Sequence, residues 1–219
     1  MAISRRHVSL AEFASLVALL SSLVALSIDA MLPALSTIGM DLDVQRENGT
    51  QLIVSAQFVG FAVGQLFYGP ASDSVGRRPP IYVGLGIFML GSILAMTASS
   101  FSIMLAGRVL QGFGAAAPRI VTIALIRDQY EGRAMARIMS FVMAVFILVP
   151  MLAPALGQAV LFVTNWRMIF ALLLSLALIV LIWFGMRQQE TLTPEQRTPF
   201  SLRRIALAVG EVCRNRCAL

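Results

Sequence analysis

Gly69-Pro70-Ala71-Ser72-Asp73-Ser74-Val75-Gly76-Arg77-Arg78 separates two long apolar runs, Gln51 to Tyr68 before it and Ile81 to Ala98 after it. Neither run carries a charged residue. Each is long enough to cross a hydrocarbon core of roughly 30 Å as a helix. The stretch therefore reads as a tight turn between two membrane-spanning helices. Gly76 can supply a left-handed backbone conformation there. Pro79 and Pro80 cannot continue the preceding helix and suit the first turn of the next. Arg77 and Arg78 are expected to face the membrane surface on the cytoplasmic side. An ordinary positively charged hairpin loop accounts for the arginines, but not for Asp73 between the two glycines.

Composition widens this reading to the whole chain. Of 219 residues, 58% are hydrophobic and 13% charged, and the mean hydropathy is +0.82. Soluble domains carry nearer a quarter charged residues, so an integral membrane protein with the lipid bilayer as its surroundings is expected. All 17 basic residues are arginine, and the net charge is +6. In a soluble chain that balance would suggest nucleic acid. Here topology explains the arginines, and no nucleic-acid partner is expected. Cys213 and Cys217 could chelate a metal, but the one histidine, His7, lies at the opposite end. Reduced cytosolic thiols are the expectation, with no metal site. Arg5 and Arg6 precede an apolar run, as in a secretory signal. That run, Phe13 to Leu35, is too long for one and contains Asp29, so it reads as an uncleaved first span.

Six spans are expected, at about residues 11–35, 50–69, 80–98, 103–126, 136–160 and 166–186. Residues 1–186 then form an all-α bundle of six transmembrane helices. Residues 187–219 form a cytoplasmic linker. In it Ser201 could cap a short basic amphipathic helix, with Leu202, Ile205, Ala206 and Val209 on one face beside Arg203 and Arg204. With the N-terminus inside, the inner side collects Arg5, Arg6, Arg77, Arg78, Arg127, Arg133, Arg137, Arg187 and the tail arginines, while the outer side holds Arg46 and Arg167. The outer loop after the first span is acidic instead, with Asp41, Asp43 and Glu47. The bias places both termini in the cytoplasm and the chain in the cell (inner) membrane as a multi-pass protein.

A charge at membrane depth is costly and marks a functional hypothesis. Asp29 lies in the first span, four residues before Pro33. Desolvation there disfavours its charged form, as a proton-binding site requires; a structural ion pair is the alternative. In the fourth span, Arg108, Gln111, Gly112, Ala115, Arg119 and Thr122 fall on one helical face. That stripe is expected to face a water-filled cavity, the alternative being arginines that snorkel outward. Pro150 and Pro154 in the fifth span, followed by Gly157, bend it by removing ladder bonds. Gly60 and Gly64 in the second span form a small-x-x-x-small pattern that suits close helix packing. No pair of Ser/His, Asp/Asp or His/Glu at membrane depth supports an intramembrane enzyme.

These strings resemble those of the major facilitator superfamily. Its loop 2–3 signature is matched at Gly69, Asp73, Gly76, Arg77 and Arg78, with a departure at Ser74, where a basic residue is usual. Its helix 4 signature is matched at Arg108, Gln111 and Gly112. Its antiporter signature in helix 5 is matched in part, with Ala153 in place of the glycine before Pro154. Asp29-Ala30-Met31-Leu32-Pro33-Ala34-Leu35 and Asn165-Trp166-Arg167 resemble the bicyclomycin-resistance branch of its drug:proton antiporters. The resemblance implies the N-terminal six-helix half of a twelve-helix transporter. It implies proton-coupled efflux of drug-like, small amphipathic substrates, with the proton gradient as energy source and no cofactor. It implies a charge cluster of Asp73, Arg77 and Asp128 that steadies one transport state, and a partner in the form of a C-terminal six-helix half. A non-transporting scaffold or sensor subunit is the alternative, and it would not require Asp29 and Arg108 inside the membrane.

Overall fold

The computed structural model describes residues 9–45, 48–199 and 201. Arg5, Arg6, His7, Arg46, Glu47, Cys213, Cys217 and the amphipathic segment after Ser201 lie outside the described residues. Among the described residues the chain is all helical. Its helices are α1 (Leu10–Asp29), α2 (Leu35–Asp41), α3 (Gln51–Val75), α4 (Arg78–Met96), α5 (Phe101–Gln129), α6 (Gly132–Val163) and α7 (Arg167–Arg187). Among the described residues, six segments are long and apolar enough to cross a membrane, with α1 and α2 counted as one segment, Leu10–Asp41.

Local chemistry sets several boundaries. Ser9 accepts a hydrogen bond from the Glu12 N–H at 3.1 Å and starts α1, and Ser100 accepts from the Ile103 N–H at 3.4 Å and starts α5. The first span is not one helix over 11–35. α1 stops at Asp29, a short 3₁₀ turn covers Leu32–Ala34, and α2 follows. Pro33 has no N–H to give the Asp29 carbonyl, so the α ladder cannot run through this point.

The stretch that begins at Gly69 also differs from expectation. It is not a turn throughout: α3 runs on through Gly69 and Pro70 to Val75, and only Gly76 and Arg77 separate α3 from α4. The hydroxyls of Ser72 and Ser74 donate to the Gly69 and Ala71 carbonyls at 2.8 and 3.0 Å. Asp73 and Arg77, one turn apart, pair at 2.5 Å. α3 therefore projects past the apolar run that suggested its end. α5 and α6 likewise extend past the expected 103–126 and 136–160, because polar residues beyond an apolar run can remain helical in the interface.

α5 is the central helix. Gly60 and Gly64 of α3 lie against its backbone at Val109 and Phe113, and Gly84 and Gly91 of α4 lie against its other side at Gly114 and Gly107. A methyl group at any of these four would overlap the facing helix. Such close approach suits a bilayer, where helix association rests on packing and not on the hydrophobic effect. α1 packs along α6, and α7 along α4. Two large apolar cores result, beside a small one of Tyr68, Ala116 and Ala117. One gathers Met31, Ile38, Ile53, Phe88, Trp166 and Phe170, and the other Phe13, Leu16, Leu20, Ile81, Leu125 and Phe184. Ion pairs fasten the bundle near both ends: Glu12 with Arg187, and Asp41 with Arg167 at 3.1 Å. Asp41 also accepts from the indole of Trp166 at 2.9 Å. Ile147, Met151 and Phe162 of α6 are exposed. On a soluble protein such a face would drive association, but lipid tails cover it at no cost.

Candidate functional site

α1, α3, α5 and α6 surround a cavity of about 460 Å³. Its lining is largely apolar and aromatic, with Phe58, Phe61 and Phe146, and its polar side chains are Asp29, Gln65 and Arg119. Asp29 is the last residue of α1, where the helix stops, and is half-buried. It makes no hydrogen bond or ion pair among the described residues. Arg119 comes from α5 and holds its guanidinium 4.5 Å from the centre of the Phe146 ring. Its Nη1 is closed off from solvent and has no hydrogen-bond partner. The cavity thus brings together a carboxyl and a guanidinium that the sequence places ninety residues apart, and neither forms an ion pair among the described residues.

Arg108 and Gln111 are elsewhere. Both were expected on the cavity stripe with Arg119, and neither lines the cavity. Both are fully buried in the bundle. Arg108 Nη1 and Nη2 donate to the Ser27 carbonyl at 3.2 and 3.1 Å, Nε donates to the Ile53 carbonyl at 3.3 Å, and Nη1 donates to Gln111 Oε1 at 2.5 Å. Gln111 Nε2 donates to Ser92 Oγ at 2.8 Å, and the Gln57 amide donates to Ser27 Oγ. One level of the bundle is therefore tied across α1, α3, α4 and α5. The Ser27 carbonyl is available because α1 ends within a turn of it. Arg108 and Arg119 lie on one side of α5 but in different surroundings. At Arg108 the neighbouring helices and Phe170, 5.8 Å from the guanidinium, close over the stripe. At Arg119 they part.

A second site lies at the α3–α4 junction. Arg77 is buried and does not face the membrane surface. It bonds Asp73 at 2.5 Å, Asp128 at 2.8 Å and Ser72 at 3.0 Å. Burial works against its charge, but Asp128 and Asp73 outweigh it and raise the guanidinium above its ordinary value. Asp73, Arg77 and Asp128 are thus one cluster, beside a space of about 340 Å³ that they line with Gly69. Ile120 and Ile123 border both this space and the cavity holding Arg119. Arg78 donates to the Tyr82 hydroxyl at 2.7 Å and to the Gly185 carbonyl at 3.3 Å, which ties α4 to α7.

The segment after α7 folds back on this cluster. The Glu190 carboxylate accepts from the backbone N–H groups of Arg77, Arg78, Thr191 and Leu192, at 2.8, 3.0, 3.1 and 3.2 Å. It covers the N-terminal end of α4, where free N–H groups favour an anion. Burial raises the Glu190 carboxyl, and the four N–H groups outweigh that and hold it below its ordinary value. Thr191 donates to Asp128 at 3.0 Å, and the Thr198 N–H to the Asp73 carbonyl at 2.9 Å. Gly76 has φ +104°, and a Cβ there would sit 2.7 Å from Glu190 Oε2. Glycine is required on both counts.

Glu190, Gln57 and Gln65 are residues that attention to charge and signature spacing passes over. An amide at membrane depth carries the same signal as a charge in weaker form, and it would have pointed to both glutamines. Nothing local marks Glu190. In the fifth span, α6 is helical through Pro150 and Pro154. Pro150 lines the cavity. Gly157 is buried, and its role is contact: a Cβ there would overlap the Ala30 carbonyl, just past the end of α1.

Comparison with known proteins bears on this geometry. The description "Major Facilitator Superfamily" matches residues 17–219. The chain is 33% identical to the uncharacterized MFS-type transporter YdgK of Bacillus subtilis, over 93% of this chain and 51% of that protein. It is 38% identical to multidrug resistance protein D of Escherichia coli, over 66% of this chain and 36% of that one. It is 35% identical to the bicyclomycin resistance protein homolog of Haemophilus influenzae, over 86% and 47%. Among solved structures, the human organic anion transporter MFSD10 (TETRAN) matches with a TM-score of 0.67 at 20% identity, over 91% of this chain and 53% of that one; that likeness concerns the fold alone. The chain spans about half the length of the first of these curated relatives and less of the other two. The loop signature, the six-helix bundle and the match over residues 17–219 together place this chain in the major facilitator superfamily.

Proposed function

We propose that this chain is the N-terminal six-helix unit of a secondary transporter that exports drug-like, small amphipathic molecules in exchange for protons. The observation that carries the proposal is that Asp29 and Arg119 line one largely apolar cavity and neither forms an ion pair among the described residues. Asp29 is the proton carrier: a carboxyl at membrane depth without an ion pair can alternate between neutral and charged forms as water reaches it from either side. The proton gradient supplies the energy, and no cofactor takes part. A scaffold or sensor subunit would have no use for such a cavity. In this reading the chain sits in the inner membrane with both termini cytoplasmic, which the arginine bias supports.

A second six-helix unit covers the open side of the cavity and moves against this one. The cluster of Asp73, Arg77 and Asp128 biases the equilibrium between the inward- and outward-open arrangements, since it lies away from the cavity charges and can act through populations alone. The test is efflux of a cationic dye and of neutral drugs from vesicles with an imposed pH gradient, with residues 1–219 co-produced with a matching second six-helix unit. The wild-type pair is expected to export, residues 1–219 alone to show no gradient-driven transport, and Asp29→Asn to insert normally but lose the gradient dependence. Gradient-dependent efflux that survives Asp29→Asn would remove Asp29 from the mechanism. Robust gradient-driven uptake by residues 1–219 alone would remove the second unit.

A further inference from the structure

The two cavity charges carry information about the substrate. Asp29 and Arg119 line one cavity yet form no ion pair with each other. No described group accepts a hydrogen bond from the Arg119 guanidinium. A guanidinium presents five N–H donors in its plane. The Arg119 Cζ lies over the Phe146 ring, 4.5 Å from the ring centre, and its N–H fork, free of protein acceptors among the described residues, suits a planar anionic group. An unpaired cation and an unpaired acid at membrane depth are both costly, and a ligand that pairs with both removes both costs. We propose that the cavity is built for zwitterionic amphiphiles: the ligand's carboxylate or sulfonate docks on Arg119, its ammonium on Asp29, and its apolar body on Phe58 and Phe61.

This deepens the transporter reading, and it rests on Asp29 as the proton carrier. It also supplies the exchange that antiport needs. The carboxylic acid form of Asp29 gives up its proton to water as the ligand's ammonium takes its place, so one ligand bound releases one proton. A purely anionic ligand on Arg119 would favour protonated Asp29 and would couple in the opposite sense. The other groups facing Asp29 do not titrate. Within the cavity lining, α3 contributes the uncharged Gln65, α6 contributes Phe146 and Pro150, and α5 contributes Arg119 as its one charge.

The test uses residues 1–219 co-produced with a matching second six-helix unit, in lipid nanodiscs, and four probes that share one aromatic body: 4-(aminomethyl)benzoate, its methyl ester, its N-acetyl derivative, and the neutral form carrying both groups. Calorimetry in buffers of different ionisation enthalpy measures affinity and proton release together. The zwitterion is expected to bind at least about tenfold more tightly than each of the others, with release of a proton. Arg119→Gln should remove its advantage over the ester, and Asp29→Asn its advantage over the N-acetyl form together with the proton release. Arg119→Lys and Asp29→Glu, which keep the charges, should retain part of both and guard against loss of fold. Equal binding of the ester, with proton release intact, overturns the zwitterion proposal and leaves Asp29 as the proton carrier. Binding of the zwitterion without proton release overturns both. Absence of binding by all four probes overturns the proposal as well.

Discussion

Arg108 and Arg119 lie on one face of α5, about three turns apart, and the molecule treats them in opposite ways. Arg108 is sealed in the bundle and donates to two carbonyls and an amide. Arg119 borders a cavity, and none of its donors is used among the described residues. A third arginine, Arg77, is neutralised by two carboxylates beside α4. A buried cation that is fully bonded holds helices together, and one left open is available to a ligand or to a moving partner. The arginine by itself has no role; the neighbours decide it.

The sharpest way to break the comparison is to remove each arginine in turn. Arg108→Ala strands the Ser27 and Ile53 carbonyls and the Gln111 amide at one level of the bundle. Hydrogen bonds to a charged donor contribute about 1.5–3 kcal/mol each, so loss of most of the folded, monodisperse protein in detergent is expected. Arg108→Lys should fall between Ala and wild type, because one ammonium cannot span all the acceptors. Thermal unfolding followed by size-exclusion chromatography reads both. Wild-type stability of Arg108→Ala would mean that the sealed network is incidental.

The cytoplasmic cluster offers a smaller effect. Gly76→Ala puts a side chain at φ +104° and against Glu190. Backbone strain of this kind costs about 1–3 kcal/mol. Release of the segment after α7 from the α3–α4 junction is expected, read as faster proteolysis between Gln188 and Thr198. An unchanged cleavage rate would show that Glu190 does not hold the segment.

Smaller still is the change at Arg119. Replacing an unpaired, half-buried charge by an apolar side chain of similar size is often neutral or stabilising, so Arg119→Met should leave thermal stability within about 1 kcal/mol of wild type or raise it. A loss as large as that of Arg108→Ala would erase the distinction between the two arginines.

The smallest effect is local and depends on pH. The Glu190 carboxyl is held below its ordinary 4.5. Its hold on the junction is then complete above pH 4.5 and is lost as pH falls through the lowered folded value. A spin label at Thr193→Cys, with Cys213 and Cys217 replaced by serine, should gain mobility in that range alone. Glu190→Gln should be mobile at every pH. A label equally immobile at pH 3 and pH 7 would count against the carboxylate as the anchor.

The sequence by itself determined the membrane class, the six spans and the family, because a run of apolar residues as long as a bilayer is thick has few other solutions. It also singled out Asp29 and Arg119, since charge at membrane depth stands out against an apolar background. It joined Asp73, Arg77 and Asp128 only through resemblance. It could not separate Arg108 from Arg119, because helical periodicity assigns a face and is silent on what covers that face. It read Gly69 and Pro70 as a turn, because proline and glycine are local breaking signals, whereas α3, packed along α5, stays helical through them to Val75. Glu190 was beyond reach: its partners Arg77 and Arg78 are more than a hundred residues away, and no periodicity or spacing links them. Those decisions belong to tertiary structure, where the packing of one helix against another sets which polar groups are closed off and which stay open.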